Sequence, residues 1–253
     1  MNHFTIELYI LLEIPITMIS IKTSALLINS ITFILAYLVI ATGSNVFRTF
    51  VARACGDDSA AEAGFLTLNP LHHIDPVGLI SLIIFHFGWP LMIPIDPSNI
   101  HAPRRKFKLF CVYFSDIIAH FVLSIIGIII LLFLFDRMIL EIVEIVSKVE
   151  TTSHLFLARL YPRISSLRVV IGYICLVLVY LNTQLAVLHL FINGAYYMTA
   201  AYPNRFSMLL QRPFLLMGLF IIFAYIFSPI LRILTISAIT ACGYSFAQLF
   251  SIT

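Results

Sequence analysis

Six long stretches of this chain carry no formal charge or only one, and all of them are predominantly apolar. A helix that crosses a bilayer needs about 20 consecutive, mostly apolar residues. Of the 253 residues, 61% are apolar and only 11% are charged, whereas about one quarter is charged in a typical soluble domain. Too few polar side chains remain to cover a water-exposed surface. This excludes a soluble globular protein, a disordered chain and a disulfide-stapled secreted domain, and it predicts an all-α polytopic membrane protein.

The apolar stretches set the predicted helices. We expect transmembrane helices over about 23–54, 109–135, 169–193 and 213–234, with a C-terminal apolar segment, 235–253, that either spans or lies at the interface.

One stretch, 76–95, is interrupted by Trp89-Pro90 and by Pro94, so that only about 77–88 can be regular helix. Such a helix is too short to cross, and a re-entrant segment is tolerated where protein covers it. The segment 137–150 repeats charged residues three or four apart on an apolar background, which is typical of a helix lying on the bilayer surface.

The predicted architecture is therefore about five to six transmembrane helices, with one short re-entrant segment and an interfacial amphipathic helix. No internal repeat or linker divides the chain. We expect one membrane domain, 23–234, preceded by an N-terminal interfacial segment, 1–22.

Charge and cysteine content narrow the partners further. The net charge of +3 is weak and indicates no nucleic-acid partner, so the bilayer is the first partner expected. The four cysteines form no C-x-x-C pair, which argues against a zinc knuckle or a disulfide framework. The N-terminus lacks the pattern of a cleavable signal peptide.

The specific part of the sequence runs from Gly56 to Asn99. It holds GDD at Gly56, GFLTLNPLHHIDPVG from Gly64 to Gly78, GW at Gly88 and PIDPSN from Pro94, followed by a basic cluster, Arg104-Arg105-Lys106. This order resembles the site-2 protease family of intramembrane zinc metallopeptidases, in its compact bacterial branch.

The resemblance implies a site-2-protease-like membrane core, a bacterial inner (plasma) membrane location and, in the family, a zinc cofactor. For His73 and Asp75 a role in ligation or proton transfer is open, but we favour side chains that bond backbone groups of a turn-rich loop. The family-motif positions interpreted as structural are Gly56, Asp57, Asn69, Pro70, His73, Asp75, Pro76, Gly78, Trp89, Pro97 and Asn99.

The catalytic motif of the family is absent. Family members carry H-E-x-x-H beginning twelve residues before the Gly of G-D, which puts two histidine ligands and a glutamate base on one helix face. Here that register gives Ser44 and Arg48 at the histidine positions and Asn45 at the glutamate position, and none of the eight histidines is followed by Glu.

The third family ligand is missing as well. In the family it is an Asp that follows an Asn-led turn closing a later helix. Here that helix is predicted to end at Asn193, and Ala201 stands where the Asp is expected. The resemblance therefore predicts a degenerate site at Ser44, Asn45, Arg48 and Ala201, with no catalytic residue, no metal ligand and no cofactor.

Ionisable residues inside the predicted membrane helices leave two questions open. Arg48 either reaches the headgroups or fills the former metal position, paired with Asp116. Asp116 and His120 share a helix face, and His189 lies on a helix expected to approach the same centre. A displaced metal site formed by Asp116, His120 and His189 is the alternative to a metal-free centre.

Two functions compete. The first is a non-catalytic pseudoprotease whose groove binds a transmembrane segment of another membrane protein. The second is an active intramembrane metallopeptidase, carrying out regulated intramembrane proteolysis with the displaced ligands. Because scaffold similarity does not carry chemistry with it, the missing ligands favour the first, and this chain is predicted to be inactive.

Overall fold

The computed structural model describes residues 3–135 and 166–203, with scattered helical positions between 218 and 248, and side chains from residue 27 onward. Within that part the regular structure is entirely helical. The helices, in chain order, are α1 (His3–Ala54), α2 (Ser59–Glu62), a 3-10 turn (Pro70–His73), α3 (Pro76–Phe85), α4 (Arg105–Phe135) and α5 (Ser166–Ala201).

Among the described residues, three helical segments are long and apolar enough to cross a membrane: Leu27–Ala54, Arg105–Phe135 and Leu167–Ala201. They leave many large apolar side chains exposed, including Phe133 at 76% and Phe121 at 61%. Exposure of this extent is compatible with contact to lipid, where burial in protein is not needed. The prediction of an all-α membrane protein is confirmed.

The predicted helix bounds need two corrections. Helix α4 begins at Arg105 rather than near 109, because basic side chains can occupy the first turn of a spanning helix and reach the interface. Helix α5 runs on to Ala201 rather than ending at Asn193. Gly194 costs a helix only about 1 kcal/mol, and the first proline beyond it is Pro203.

The remaining predicted segments have different outcomes. Helix α3 lies where the short helix 77–88 was expected, while its re-entrant placement stays a prediction. Helix α1 continues unbroken through most of the predicted interfacial segment, 1–22. The amphipathic helix 137–150 lies outside the described residues, and so do most of 213–234 and 235–253.

The core of the bundle lies where α1 meets α4 and α5. Helices α4 and α5 form the most extensive pair, and α1 packs against both. Fully buried apolar side chains from the three helices form one cluster, among them Tyr37, Ile40, Leu131, Leu181 and Leu185. The segment between α1 and α4 begins and finishes at the same end of this bundle. The start of α4 and the end of α5 meet there, since Arg105 donates to the carbonyl of Ala200 at 3.2 Å.

Candidate functional site

A buried ion pair joins the three long helices. The Arg48 guanidinium on α1 donates through Nη1 to Oδ2 of Asp116 on α4 at 3.0 Å and to Oδ1 of Asn193 on α5 at 3.1 Å. The Asn193 amide donates to both carboxylate oxygens of Asp116, at 2.9 and 2.8 Å. Burying charge is tolerated only when it is paired and hydrogen-bonded, and this triad meets that condition. Of the two interpretations of Arg48, the structure has the pairing with Asp116.

Two histidines extend the triad along the bundle. His189 Nδ1 lies 2.9 Å from Asp116 Oδ2 and 3.2 Å from His120 Nε2. His120 Nδ1 lies 2.8 Å from Oδ1 of Asn182, whose amide donates to the Leu178 carbonyl.

The acceptors at the two ends of this chain assign the tautomers. The Asn182 oxygen needs a donor, so His120 carries its proton on Nδ1 and accepts at Nε2. The Asp116 carboxylate can only accept, so His189 Nδ1, which lies 2.9 Å from Oδ2, carries a proton. The Nε2 atom of His189 makes no hydrogen bond within the described part of the chain, and in the neutral ring it is an acceptor.

Arg48 has donor capacity to spare. A guanidinium carries five N–H donors, and only Nη1 bonds to the described residues. The Nε atom is fully buried without a partner, and Nη2 has no hydrogen bond in the described part of the chain. The guanidinium carbon lies 5.5 Å from the centre of the Tyr113 ring, which adds a cation–π contact.

The triad opens on a small cleft with a volume of about 70 Å³. One wall is the irregular segment after α3, and the other is formed by α5. Asn45 fixes the first wall, since its amide donates to the Leu91 carbonyl at 2.8 Å. The polar lining residues are Asn45, Arg48, Asp116, His189 and Asn193, and the apolar ones are Phe87, Trp89, Pro90, Leu91, Met92, Ile93, Leu188 and Ile192.

The four positions predicted to be degenerate do not all meet. Asn45 and Arg48 line the cleft. Ser44 is buried, and its hydroxyl donates to the Ile40 carbonyl at 2.8 Å. Ala201 belongs instead to an apolar cluster with Ala52, Ile100, Leu109, Val112 and Tyr113. It lies there because α5 stays helical after Asn193 and carries the chain away from the cleft.

The alternative ligand set does meet. Asp116, His120 and His189 lie within hydrogen-bonding distance along a single chain of contacts. Their polar atoms face one another and Arg48, and within the described residues no group of three His, Cys, Asp or Glu side chains is arranged to hold a metal ion. The sequence had indicated that these three side chains approach one centre. It missed Asn182 and Asn193 as their partners, since a lone Asn in an apolar helix gives no distinguishing signal.

Asp57 fixes the loop that leaves α1. It is fully buried, and its Oδ1 accepts from the Ser59 hydroxyl at 2.6 Å and from the Asn99 amide at 3.1 Å. Its Oδ2 accepts from the backbone N–H of Asp96 at 2.9 Å. The loop end is also fixed by Arg105, which donates to the Pro97 carbonyl at 3.0 Å. Gly56 permits the turn, since its φ is +105°.

The middle of the loop is held by capping side chains. Asn69 accepts from the backbone N–H of Leu71 and caps the 3-10 turn that starts at Pro70. Asp75 accepts from Gly78 N–H at 2.8 Å and caps α3, whose first residue is Pro76. His73 is fully buried, with Nε2 2.9 Å from the Thr67 carbonyl. His73 and Asp75 thus contact backbone groups, and neither lines the cleft.

Gly78 allows the cleft wall to lie against α3. A Cβ at this position would stand 2.1 Å from the carbonyl oxygen of Trp89. That oxygen accepts a hydrogen bond from the Tyr37 hydroxyl at 3.0 Å, and the same hydroxyl accepts from Asp75 N–H at 3.2 Å. Tyr37 therefore ties the start of α3 and the cleft wall to α1, a role that the sequence did not indicate.

Comparison with known proteins finds a local similarity to a bacterial protein. The chain is 38% identical over 76 residues to the Bacillus subtilis (strain 168) protein named "Putative zinc metalloprotease YwhC". The match covers 28% of this chain and 35% of that protein, so it spans about a third of the relative's length. No family model matches the chain, and no solved structure matches it. The similarity supports a protease-like relationship for an integral membrane protein.

Proposed function

We propose that this chain is a degenerate member of the site-2 protease family, a non-catalytic pseudoprotease of the bacterial inner membrane that binds membrane segments of other proteins. The observation that carries the proposal is Arg48, whose guanidinium occupies the cleft with Asp116 and Asn193. In the register of the family motif, this position belongs to a histidine ligand. The membrane domain is proposed to cover residues 23–234.

The residues around the cleft do not fit a zinc ion. Zinc sites in enzymes use three His, Cys, Asp or Glu ligands and an open position for water. Here the family positions hold a hydroxyl already bonded to the Ile40 carbonyl, an amide bonded to the Leu91 carbonyl and a cation. An arginine at that place repels a metal ion. The asparagine amide cannot take up a proton at neutral pH, so it cannot act as the general base.

A second candidate is an active metallopeptidase with displaced ligands. It is favoured by one observation: His189 Nδ1 lies 2.9 Å from Asp116 Oδ2 and 3.2 Å from His120 Nε2. Against it, Asp116 Oδ2 already accepts from Arg48, and His120 Nδ1 is engaged by Asn182. Metal binding would require Arg48 to leave a buried pair, so the non-catalytic function is the better supported.

The cleft supports the binding function. Its outer wall, from Phe87 to Ile95, is backbone without helix or strand, between the end of α3 and a proline-rich turn. Met92 lines the cleft and is 55% exposed. A partly exposed wall that is neither helix nor strand can pair with an unwound segment of a partner by strand addition. The residues that hold the wall in place, Tyr37 and Asn45, bond its backbone rather than taking part in any chemistry.

Site-specific photocrosslinking in the membranes of the host tests the binding function. A photoreactive residue at position 92 should yield a discrete protein adduct. The matched control is position 133 on the lipid-exposed side of α4, where Phe133 is 76% exposed and outside the cleft; it should yield lipid adducts only. Identical lipid-only adducts at both positions would refute the proposal.

A cleavage assay separates the two candidates. The purified chain is incubated in liposomes with a model transmembrane substrate, with and without a zinc chelator. The non-catalytic function predicts no product in either condition. A chelator-sensitive product that disappears in both Asp116→Ala and His189→Ala would instead establish the metallopeptidase.

A further inference from the structure

Arg48 and His189 contact the same oxygen, Asp116 Oδ2, at 3.0 and 2.9 Å, and each keeps a polar atom without a partner in the described part of the chain. Arg48 Nη2 carries N–H groups without a partner in the described part of the chain, and Arg48 Nε is buried and unpartnered. His189 Nε2 has no partner there either, and in the neutral ring with its proton on Nδ1 it is an acceptor. Both side chains line the same cavity. Polar groups that lose water without gaining a partner cost free energy, so a segment that covers this cleft binds more favourably when one of its groups bonds both side chains.

We infer that the membrane segment bound by this protein inserts one carboxamide or protonated carboxyl side chain, from Gln, Asn, Glu or Asp, between Arg48 and His189. This inference rests on the proposed binding function. The carbonyl oxygen of the inserted group accepts from the Arg48 guanidinium, and its N–H or O–H donates to His189 Nε2. No proton changes owner, and the net charge of the site stays constant.

The size of the cavity agrees with a side-chain head rather than a larger ligand. A buried water needs a cavity of about 10–15 Å³, so a cavity of about 70 Å³ holds a group of a few heavy atoms. The apolar walls, formed by Trp89, Met92 and Ile192 among others, suit the aliphatic and backbone atoms around that group.

The depth of the site favours a protein segment over a lipid headgroup. Ala54, Arg105 and Ala201 mark one end of the bundle. At a rise of about 1.5 Å per residue, Arg48 lies roughly 9 Å inward from that end, Asp116 roughly 16 Å and His189 roughly 18 Å. Lipid carboxylates and phosphates stay at the interface, whereas the side chain of a membrane-embedded segment reaches this level.

Binding of designed peptides to the purified full-length chain in nanodiscs tests the inference. The peptides are Leu-rich transmembrane segments of about 21 residues that differ at one central position, which is Gln, Glu, Leu or Lys. The Gln and Glu peptides should bind roughly tenfold tighter or more than the Leu peptide, from hydrogen bonds that involve a charged donor. The Lys peptide, which only donates, should gain nothing and should be repelled by Arg48.

Two protein variants locate the effect. In Arg48→Met the preference for Gln and Glu over Leu should disappear, while Phe133→Ala, outside the cleft, should keep it. If Arg48→Met does not fold, the comparison of peptides on the natural chain still decides. Equal binding of all four peptides overturns the inference and leaves the binding function standing. The absence of binding by every peptide overturns both, and a Gln preference that survives in Arg48→Met overturns the inference alone.

Discussion

The guanidinium of Arg48 and the carboxylate of Asp116, which are 68 residues apart in the sequence, meet at 3.0 Å in the interior between α1, α4 and α5. Their side chains are 11% and 2% exposed. Each partner of such a pair needs the other, because an isolated charge in a low-dielectric interior is costly whereas a paired one is tolerated. The pair thus places the Arg48 cation at the cleft and links α1 to α4.

Removal of one partner should be worse than removal of both. Arg48→Met leaves Asp116 as an uncompensated buried carboxylate and should lower the free energy of unfolding by about 3–5 kcal/mol. The double variant Arg48→Met/Asp116→Leu should recover most of that loss. Thermal or denaturant unfolding in detergent micelles measures this cycle. Additive losses in the double variant would show that the two charges do not depend on each other.

Asp57 should matter far more than its neighbour Asp58. Asp57→Ala leaves the Asp96 N–H and the Asn99 amide without their acceptor, and should open the loop between α1 and α4 to limited proteolysis. Asp58→Ala is the matched control. It removes only a surface ion pair with Arg53, in which both side chains are more than half exposed, and such pairs contribute about 0–1 kcal/mol. Equal protease resistance of the two variants would contradict the assigned role of Asp57.

Gly78→Ala should displace the cleft wall. The added methyl group would stand 2.1 Å from the Trp89 carbonyl oxygen, a backbone atom that can retreat only if the wall moves. We expect a loss of about 1–3 kcal/mol, typical of overpacking, and loss of crosslinking from position 92. Gly194→Ala is the control, because a Cβ there meets nothing within 4 Å. In α5 it should stabilise the chain by up to about 1 kcal/mol. A stable, crosslinking-competent Gly78→Ala would refute the close packing of α3 on the wall.

The Tyr37 hydroxyl should stabilise the same wall and the start of α3 against local opening. Tyr37→Phe removes the donor to the Trp89 carbonyl and the acceptor for Asp75 N–H while keeping the ring in the core. Hydrogen exchange at the start of α3 and in the wall should rise, with little change in the protection of α4. Unchanged exchange in both segments would contradict this assignment.

The sequence predicted the membrane class and the main helices because charge-free length is a local property. It also favoured backbone contacts for His73 and Asp75, which lie near the Thr67 carbonyl and the Gly78 N–H, whereas the cap made by Asn69 was not predicted. Helix ends were less accurate. Asn193 was read as the start of a turn, but its amide is used by Asp116 from inside a continuous helix. That contact is with a residue 77 positions away, and no local pattern encodes it.

The candidate site was predictable in part for the same reason. Residues four apart on a helix share a face, which places Asp116 and His120 together. The register of the family motif identifies Ser44, Asn45 and Arg48. Which of these side chains meet depends on how α1, α4 and α5 pack. Arg48 reaches Asp116, whereas Ala201 lies among apolar residues. The partnership of His120 with Asn182 likewise depends on the packing of two helices.

The zinc content of the purified chain tests the central claim most directly. The protein is expressed in cells supplied with zinc, purified without chelators, and its metal content is measured by mass spectrometry alongside His189→Ala. The account predicts no stoichiometric zinc in either sample, because Arg48 occupies the cleft and pairs with Asp116. One zinc ion per natural chain, lost in His189→Ala, would contradict it.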